Sequence, residues 1–424
     1  MKQIVIISLI ILYGSVLHAQ EWTSIFPDTA LQHLINEALD ANSDIRTAKL
    51  SIEQSQAMLR GAKLNYLPDL SLAPTGEMSL MKNQRATYTY QLPVQMAWEV
   101  NLGGKWHFEK QVAKSQYIRD VENLKHMQYL LISEVSNAYY TLIMLDRQLA
   151  ISQQSLAVQQ KNVEVFRALK EVGLQQETAV NQAEVECQGL AASIPMLRAQ
   201  IQTVETSLCM LLNRQASTIE RPSWESVQGI ALDTIDNIPL EQLSNRPDVR
   251  AAEYQMQAAF YHVKVVQADF YPSFRISGSF GWTNNLGEII NPASWLLNAI
   301  GGLVQPLLSI AKTKAQLKAA KAQQEQAVIT FEKTLLIAGG ELRDALAMRN
   351  ACHERETMRQ KQVIAAQKGY ENNREMMQYS QNSYLEILTA QRAWLDAQLL
   401  QTADWLEKQQ SMINLYKALC PPLM

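Results

Sequence analysis

Residues 42–72 read NSDIRTAKLSIEQSQAMLRGAKLNYLPDLSL, and residues 246–276 read RPDVRAAEYQMQAAFYHVKVVQADFYPSFRI. The two align without a gap at a separation of 204: Asp44 meets Asp248, Arg46 meets Arg250, Ala48 meets Ala252 and Pro68 meets Pro272. Further along the separation becomes 207, pairing Lys105 with Lys312, Ala113 with Ala320, Glu134 with Glu341, Ala138 with Ala345, Leu208 with Leu415 and Leu212 with Leu419. Self-similarity held in register over such a length marks one structural unit used twice.

Each unit switches its hydrophobic period once. Leu31, Leu34, Ile35 and Leu39, then Ile45, Ala48 and Ile52, follow helical spacing, and Pro68 and Pro272 stop the helix. Next, Tyr88, Tyr90, Leu92, Val94, Met96 and Trp98 alternate with Thr89, Gln91, Pro93, Gln95, Ala97 and Glu99. In the second unit Phe274, Ile276, Gly278, Phe280 and Trp282 alternate with Arg275, Ser277, Ser279, Gly281 and Thr283. An apolar face with aromatics near its ends and a polar face behind it is the pattern of a strand between lipid and water. The interface aromatics are then Tyr88, Tyr90, Trp98, Phe280, Trp282 and Trp295. Strands are expected at about 69–80 and 87–99 in the first unit, and at about 273–284 and 294–306 in the second.

After its strands each unit runs into long helices. Residues 105–171 contain neither Pro nor Gly, and a break at Glu171-Val172-Gly173-Leu174 precedes a return helix. The second unit does the same around Tyr379-Ser380-Gln381-Asn382, and Gly173 and Ser380 are 207 apart. Helices on the order of 50–100 Å do not fit a compact globule. Interleaved Gln, Ala and Ser suit close packing in a coiled coil or helical tube. The expected organisation is a signal peptide over 1–20, a first repeat over 21–213 (hairpin 105–213, tip 171–178), a connecting side segment over 214–245, and a second repeat over 246–424 (hairpin 309–419, tip 378–383).

The 424 residues carry a net charge of −3 with no block of like charge, which excludes a nucleic-acid partner. Lys2 followed by the apolar stretch Ile4 to Leu17 reads as a secretory signal cleaved near Ala19 or Gln20, with no Cys after it to carry a lipid. Beyond residue 20 no apolar run approaches the ~20 residues of a membrane helix, so any crossing is made by strands. Four strands cannot close, since about eight are the practical minimum for a barrel. Open edges in lipid leave backbone groups unpaired at several kcal/mol each, so two or more chains must share one barrel. Only four strands among so much helix argues against a soluble sandwich.

No enzyme, metal or cofactor is expected. There is no nucleophile elbow and no HExxH, and Gly103-Gly104-Lys105 lacks the flanking residues of a phosphate loop. His18, His33, His107, His126, His262 and His353 show no ligand spacing. Cys187, Cys209, Cys352 and Cys420 read as small buried apolar residues; Cys187 and Cys209 would sit about 33 Å apart on one helix.

RPDVRAAE at 246–253, ADFYPSFRISGSFG at 268–281, VGL at 172–174, SYLEILTAQ at 383–391 and LYKAL at 415–419 resemble the TolC-type outer-membrane efflux factors, nearest the branch that works with resistance–nodulation–division (RND) pumps. The resemblance covers nearly all of the chain after the signal. It implies a fold that is mainly α with a β membrane part, in which a homotrimer builds one twelve-stranded β-barrel continued by a periplasmic α-helical barrel. It also implies a periplasmic adaptor and an inner-membrane RND-type pump as partners, and a place in the outer membrane among its lipids. Three departures stand out. No Cys is available for N-terminal acylation, the second strand-to-helix turn (Leu308 to Lys312) lacks Gly, and LYKAL is followed by Cys420-Pro421-Pro422 rather than Gly-Gly.

By resemblance, Val172, Gly173 and Leu174, with Tyr379, Ser380 and Gln381, contact the adaptor. Asn382, Glu386 and Thr389 line the periplasmic aperture, where three copies of Glu386 would form a carboxylate ring favouring cations. The plainer reading of Glu386 is a helix-surface residue paired with a neighbour such as Arg392. The expected function is the outer-membrane channel of a tripartite efflux pump for drugs or metals. The alternatives are the duct of a type I or ABC-driven secretion system, and a soluble periplasmic coiled-coil scaffold. A passive duct leaves substrate choice to the pump.

Overall fold

The computed structural model describes residues 22–80 apart from 24, 86–230, 240–283, 295–304, 310–378 and 384–420. In chain order the elements are α1 (Thr29–Ala41), α2 (Ser43–Leu64), β1 (Asp69–Leu72), β2 (Thr75–Ser79), β3 (Thr87–Asn101), α3 (Lys105–Glu171), α4 (Glu177–Leu211), a 3-10 turn (Leu240–Asn245), α5 (Pro247–Ala268), β4 (Ser273–Thr283), β5 (Trp295–Val304), α6 (Ile310–Gln378) and α7 (Tyr384–Leu419). They form two compact units. One takes in the chain up to Thr47, Leu124–Pro247 and Leu335 onward; the other takes in Ala48–Asn123 and Asp248–Thr334.

The second unit holds the whole sheet. Its order is β1-β3-β4-β5, antiparallel throughout, with β2 also on β3. The stretch read as one strand, 69–80, is therefore two segments. Both keep one register, Leu72 against Val94 and Thr75 against Gln91, so Ala73 faces Pro93. The Ala73 N–H donates to the Pro93 carbonyl at 3.1 Å, but Pro93 has no N–H to return. The rung is lost between β3 and the β1–β2 edge, and the β3–β4 ladder stays whole. On its other side Pro93 faces Gly281, where a Cβ would overlap the Leu92 carbonyl oxygen and the Pro93 Cα. Only glycine allows that approach.

Register carries the apolar sets of all the strands to one face. Leu92 pairs with Trp282, Val94 with Phe280, Val100 with Phe274, Leu70 with Met96 and Met78 with Tyr88. Leu297 and Leu303 of β5 continue the rows beside Phe280 and Phe274. The reverse face has Ser71 beside Gln95, Ser279 beside Asn298, and a Glu99–Arg275 ion pair at 3.0 Å. β5 departs from the pattern, for Ile300 and Val304 stand on the polar side opposite Ser277 and Ser273. Leu70, Leu72, Tyr88, Phe280, Leu297 and Leu303 are all exposed. Both faces are open in the single chain, so nothing among the described residues covers the apolar one, whereas a water-soluble sheet packs its apolar face against a core.

The helical unit has a dense core. Trp22, Phe26, Leu31 and Ile35 meet Val135, Tyr139, Tyr140 and Leu142 of α3, Leu208 of α4, and Ile413 and Tyr416 of α7. From the connecting segment, Ile219 is buried there and Trp224, Val227 and Ile230 pack against it. Asp28 caps α1, its Oδ1 accepting from the Ala30 N–H at 2.9 Å. Its Oδ2 accepts from the Tyr139 hydroxyl at 2.8 Å; burial and this bond push the Tyr139 phenol far above its ordinary pKa. The opening stretch read as a single helix is two, because Asn42 caps α2 by accepting from Asp44 N and Ile45 N. All four cysteines are free and buried.

Arg246 is the largest fully buried side chain, 1% exposed. Its guanidinium donates to the Ala418 carbonyl at 3.0 Å and to Glu341 at 2.8 Å. Asn42, 204 residues earlier, donates from Nδ2 to the Leu211 carbonyl at 2.9 Å, and residues 211 and 418 are 207 apart. The same anchor thus joins helix entry to helix exit in both halves, neutral in one and charged in the other. Arg246→Ala leaves a buried carbonyl unsatisfied and a cavity, which predicts a loss of about 3 kcal/mol. It should appear as earlier melting of the helical circular-dichroism signal. Arg246→Lys should recover only part, since one ammonium does not reproduce the two-pronged geometry.

Candidate functional site

The first hairpin tip is closed by backbone geometry. Gly173 has φ +76°. Its N–H donates to the Lys170 carbonyl at 2.9 Å, and the Leu174 N–H reaches back to Leu169 at 2.9 Å. This pair of bonds with a left-handed glycine is a Schellman cap. Val172 and Leu174 on either side are 68% and 71% exposed. No atom lies within 4 Å of where a Gly173 Cβ would stand. Beneath the turn, Val163 and Phe166 of α3 pack on Ala179, Val180, Ala183 and Cys187 of α4, with Leu388 of α7. Ion pairs Arg167–Glu184 and Lys170–Glu177 tie the two helices on the surface. A well-braced turn therefore holds out two apolar side chains that packing within the chain leaves bare.

Of the second tip, Tyr379, Ser380, Gln381 and Asn382 lie outside the described residues. Glu386 and Thr389 are exposed on the first turns of α7. The Thr389 hydroxyl donates to the Leu385 carbonyl at 2.8 Å. Thr389 also lines a groove with Leu385, Leu388 and Arg392, faced by Asn181, Val185 and Glu186 of α4. Arg392 donates to Glu186 at 3.3 Å, so its partner is on α4 rather than at Glu386.

Sequence reading missed a polar seam that runs within the first hairpin and across to α7. Asn162 donates to Gln391 at 2.8 Å, Gln159 to the Ala183 carbonyl at 3.2 Å and Gln148 to Thr402 at 3.2 Å. Gln159 and Gln391 are buried. The signal was present: Leu156, Gln159, Val163 and Phe166 share helical spacing, so an amide occupies a core position.

On the sheet, Tyr88, Tyr90, Trp98, Phe280 and Trp282 are exposed on the one apolar face. Trp295 pairs with Trp282 through the backbone, while its side chain lies outside the described residues. Tyr88 to Trp98 spans roughly 34 Å along the strand. Tilted at about 45° that gives roughly 25 Å, the height of the apolar band of a membrane barrel. Among the described residues no helix is long and apolar enough to cross a membrane, and no group of three or more His, Cys, Asp or Glu is placed to hold a metal.

The model of the family described as outer membrane efflux protein matches the chain twice, over residues 34–214 and 238–420. The chain belongs to that family. It is an efflux conduit of the cell outer membrane and not an enzyme. It is 25% identical over 407 residues to the cation efflux system protein CusC of Escherichia coli K12, covering 94% of this chain and 88% of CusC. It is 26% identical over 417 residues to the toluene efflux pump outer membrane protein TtgC of Pseudomonas putida, covering 94% and 84%. The crystal structure of the outer membrane protein VceC from Vibrio cholerae superposes with a TM-score of 0.86 at 22% identity, over 95% of this chain and 99% of VceC. At the tip, Gly173 combines a left-handed backbone with open space around it. Gly173→Ala meets no neighbour, so the chain should fold. The left-handed backbone then costs about 1 kcal/mol, and amide exchange at Leu174 should quicken about fivefold. Unchanged exchange would rule out the Schellman geometry.

Proposed function

We propose that the chain supplies one third of an outer-membrane channel that serves a tripartite efflux pump. The observation that carries this is the sheet, with an apolar face that nothing among the described residues covers and two edges, β1–β2 and β5, without a strand partner among them. Such edges are intolerable in lipid unless another copy pairs with them. Three copies would join into the twelve-stranded barrel that the resemblance implies, with one structural unit used twice per chain. The double match of the family model and the paired anchors at Asn42 and Arg246 support the duplication.

The hairpins 105–213 and 309–419 would then build the periplasmic tunnel. Val172, Gly173 and Leu174, with Tyr379, Ser380 and Gln381, would meet the periplasmic adaptor, and an RND-type pump would drive transport. Asn382, Glu386 and Thr389 would narrow the aperture, Glu386 as its carboxylate ring. Relatives named for cation and for toluene efflux support a passive duct whose cargo is chosen elsewhere. They also favour efflux over a secretion duct.

The purified protein should migrate as a heat-modifiable oligomer, fractionate with outer membranes and form cation-preferring channels in planar bilayers. Glu386→Gln should lower the cation preference about twofold or more and weaken block by divalent cations. Channels indifferent to that change would remove Glu386 from the aperture. A protein found only in the soluble periplasm would favour the scaffold. Gly173→Trp should leave conductance intact while reducing adaptor cross-linking and export about tenfold; full cross-linking and export would remove the tip from the adaptor contact.

A further inference from the structure

The structure gathers positive charge that the sequence scatters. The strand ends that continue into helices all lie at one end of the sheet. Asp69 pairs with Ala97 there, and Asn101, Ser273 and Val304 stand in one line of register. The adjoining helical stretches, 55–67, 105–118, 258–271 and 310–323, hold ten lysine and arginine residues against two carboxylates, Glu109 and Asp269, in a chain whose net charge is −3. Asp269 is already engaged by Lys105 at 2.8 Å.

On α6 the charge forms a stripe. Lys314, Lys318 and Lys321 are spaced by four and three residues, share one face and are exposed. The packed side of the same helix carries Leu317 and Ala320 against Val263 and Val266 of α5. A second observation ties this end to the apolar face. Trp98, on that face, donates from Nε1 to the Tyr66 carbonyl at 3.2 Å, and the Lys110 ammonium stands 6.0 Å from the Tyr66 ring centroid. Aromatic rings with a lysine reaching past them are the side chains that sit at the headgroup level of a bilayer.

We propose that this end of the sheet is a collar that binds anionic phospholipid headgroups, with Lys314, Lys318 and Lys321 as its principal contacts. The collar rests on the membrane reading above. The occupant follows from charge and continuity: the basic stretches adjoin one end of a sheet whose apolar face is uncovered, and what borders acyl chains in a bilayer is a phosphodiester. An ammonium near an anionic lipid surface is attracted to it, and the attraction is screened by salt.

The test uses the full-length protein in bilayers of phosphatidylethanolamine with a minor share of phosphatidylglycerol, with native mass spectrometry of the lipids that remain bound. Phosphatidylglycerol should be retained at about threefold or more its bulk share. Lys314→Gln, Lys318→Gln and Lys321→Gln together should bring it to parity, while the three Lys→Arg changes should preserve it. Absence of preference in the wild type would overturn the collar. So would a Gln triple variant that retains its lipid but changes ion selectivity, which would turn the stripe toward the lumen. Conductance in the same bilayers separates the two ideas: channels without lipid preference overturn the collar alone, and no channels at all overturns the membrane reading with it.

Discussion

A backbone N–H or C=O in hydrocarbon has no water to turn to, and the architecture follows from that. Helices meet the demand internally, but none of the described helices is apolar enough to enter lipid. Among the described residues β3 and β4 are paired on both sides while β1–β2 and β5 are paired on one, so on the channel reading proposed above the strands meet that demand across chains. The unmet edges are a demand for neighbours written into a single chain. Everything polar, from the Glu99–Arg275 pair to the serines of β4, turns to the reverse face, where water can reach it.

The two halves share a plan and differ in chemistry. At equivalent positions an amide and a guanidinium make the same tie to a helix-terminal carbonyl, Asn42 to Leu211 and Arg246 to Ala418. The charged version brings Glu341 with it, and Lys417 stands 3.7 Å from the same carboxylate. The first hairpin tip has glycine at its left-handed turn, whereas the residue 207 positions on is Ser380.

Much of this is legible in sequence because it is local. The alternation over 87–99 and 273–284 depends on neighbours two residues apart, and the structure has β3 over Thr87–Asn101 and β4 over Ser273–Thr283. The turn at Gly173 shows as the first glycine after a long run without one. What sequence does not show is set by residues far apart. The gap between β1 and β2 comes from Pro93 on the partner strand. The helix break at Asn42 depends on an amide that caps rather than faces solvent. The seam at Gln159 and Gln391 and the basic collar arise only when distant segments meet. At the site, Val172 and Leu174 are exposed at the turn, and Glu386 and Thr389 are exposed on the first turns of α7.

Pro93 has a consequence for the life of the protein before assembly. A chain travelling through an aqueous compartment with a bare, apolar sheet edge invites the wrong strand onto it, and a flat, fully bonded edge is the best template for that error. Pro93 removes its rung on the inner side of that edge, and Pro74, which alternates with the inward-bonding Ala73, lacks the N–H that would face the open side, so the edge falls into segments of four and five residues, each a poor template by itself. A break of this kind disfavours edge-to-edge pairing with a wrong strand. It leaves the unbroken β5 as the edge from which correct pairing between copies can start.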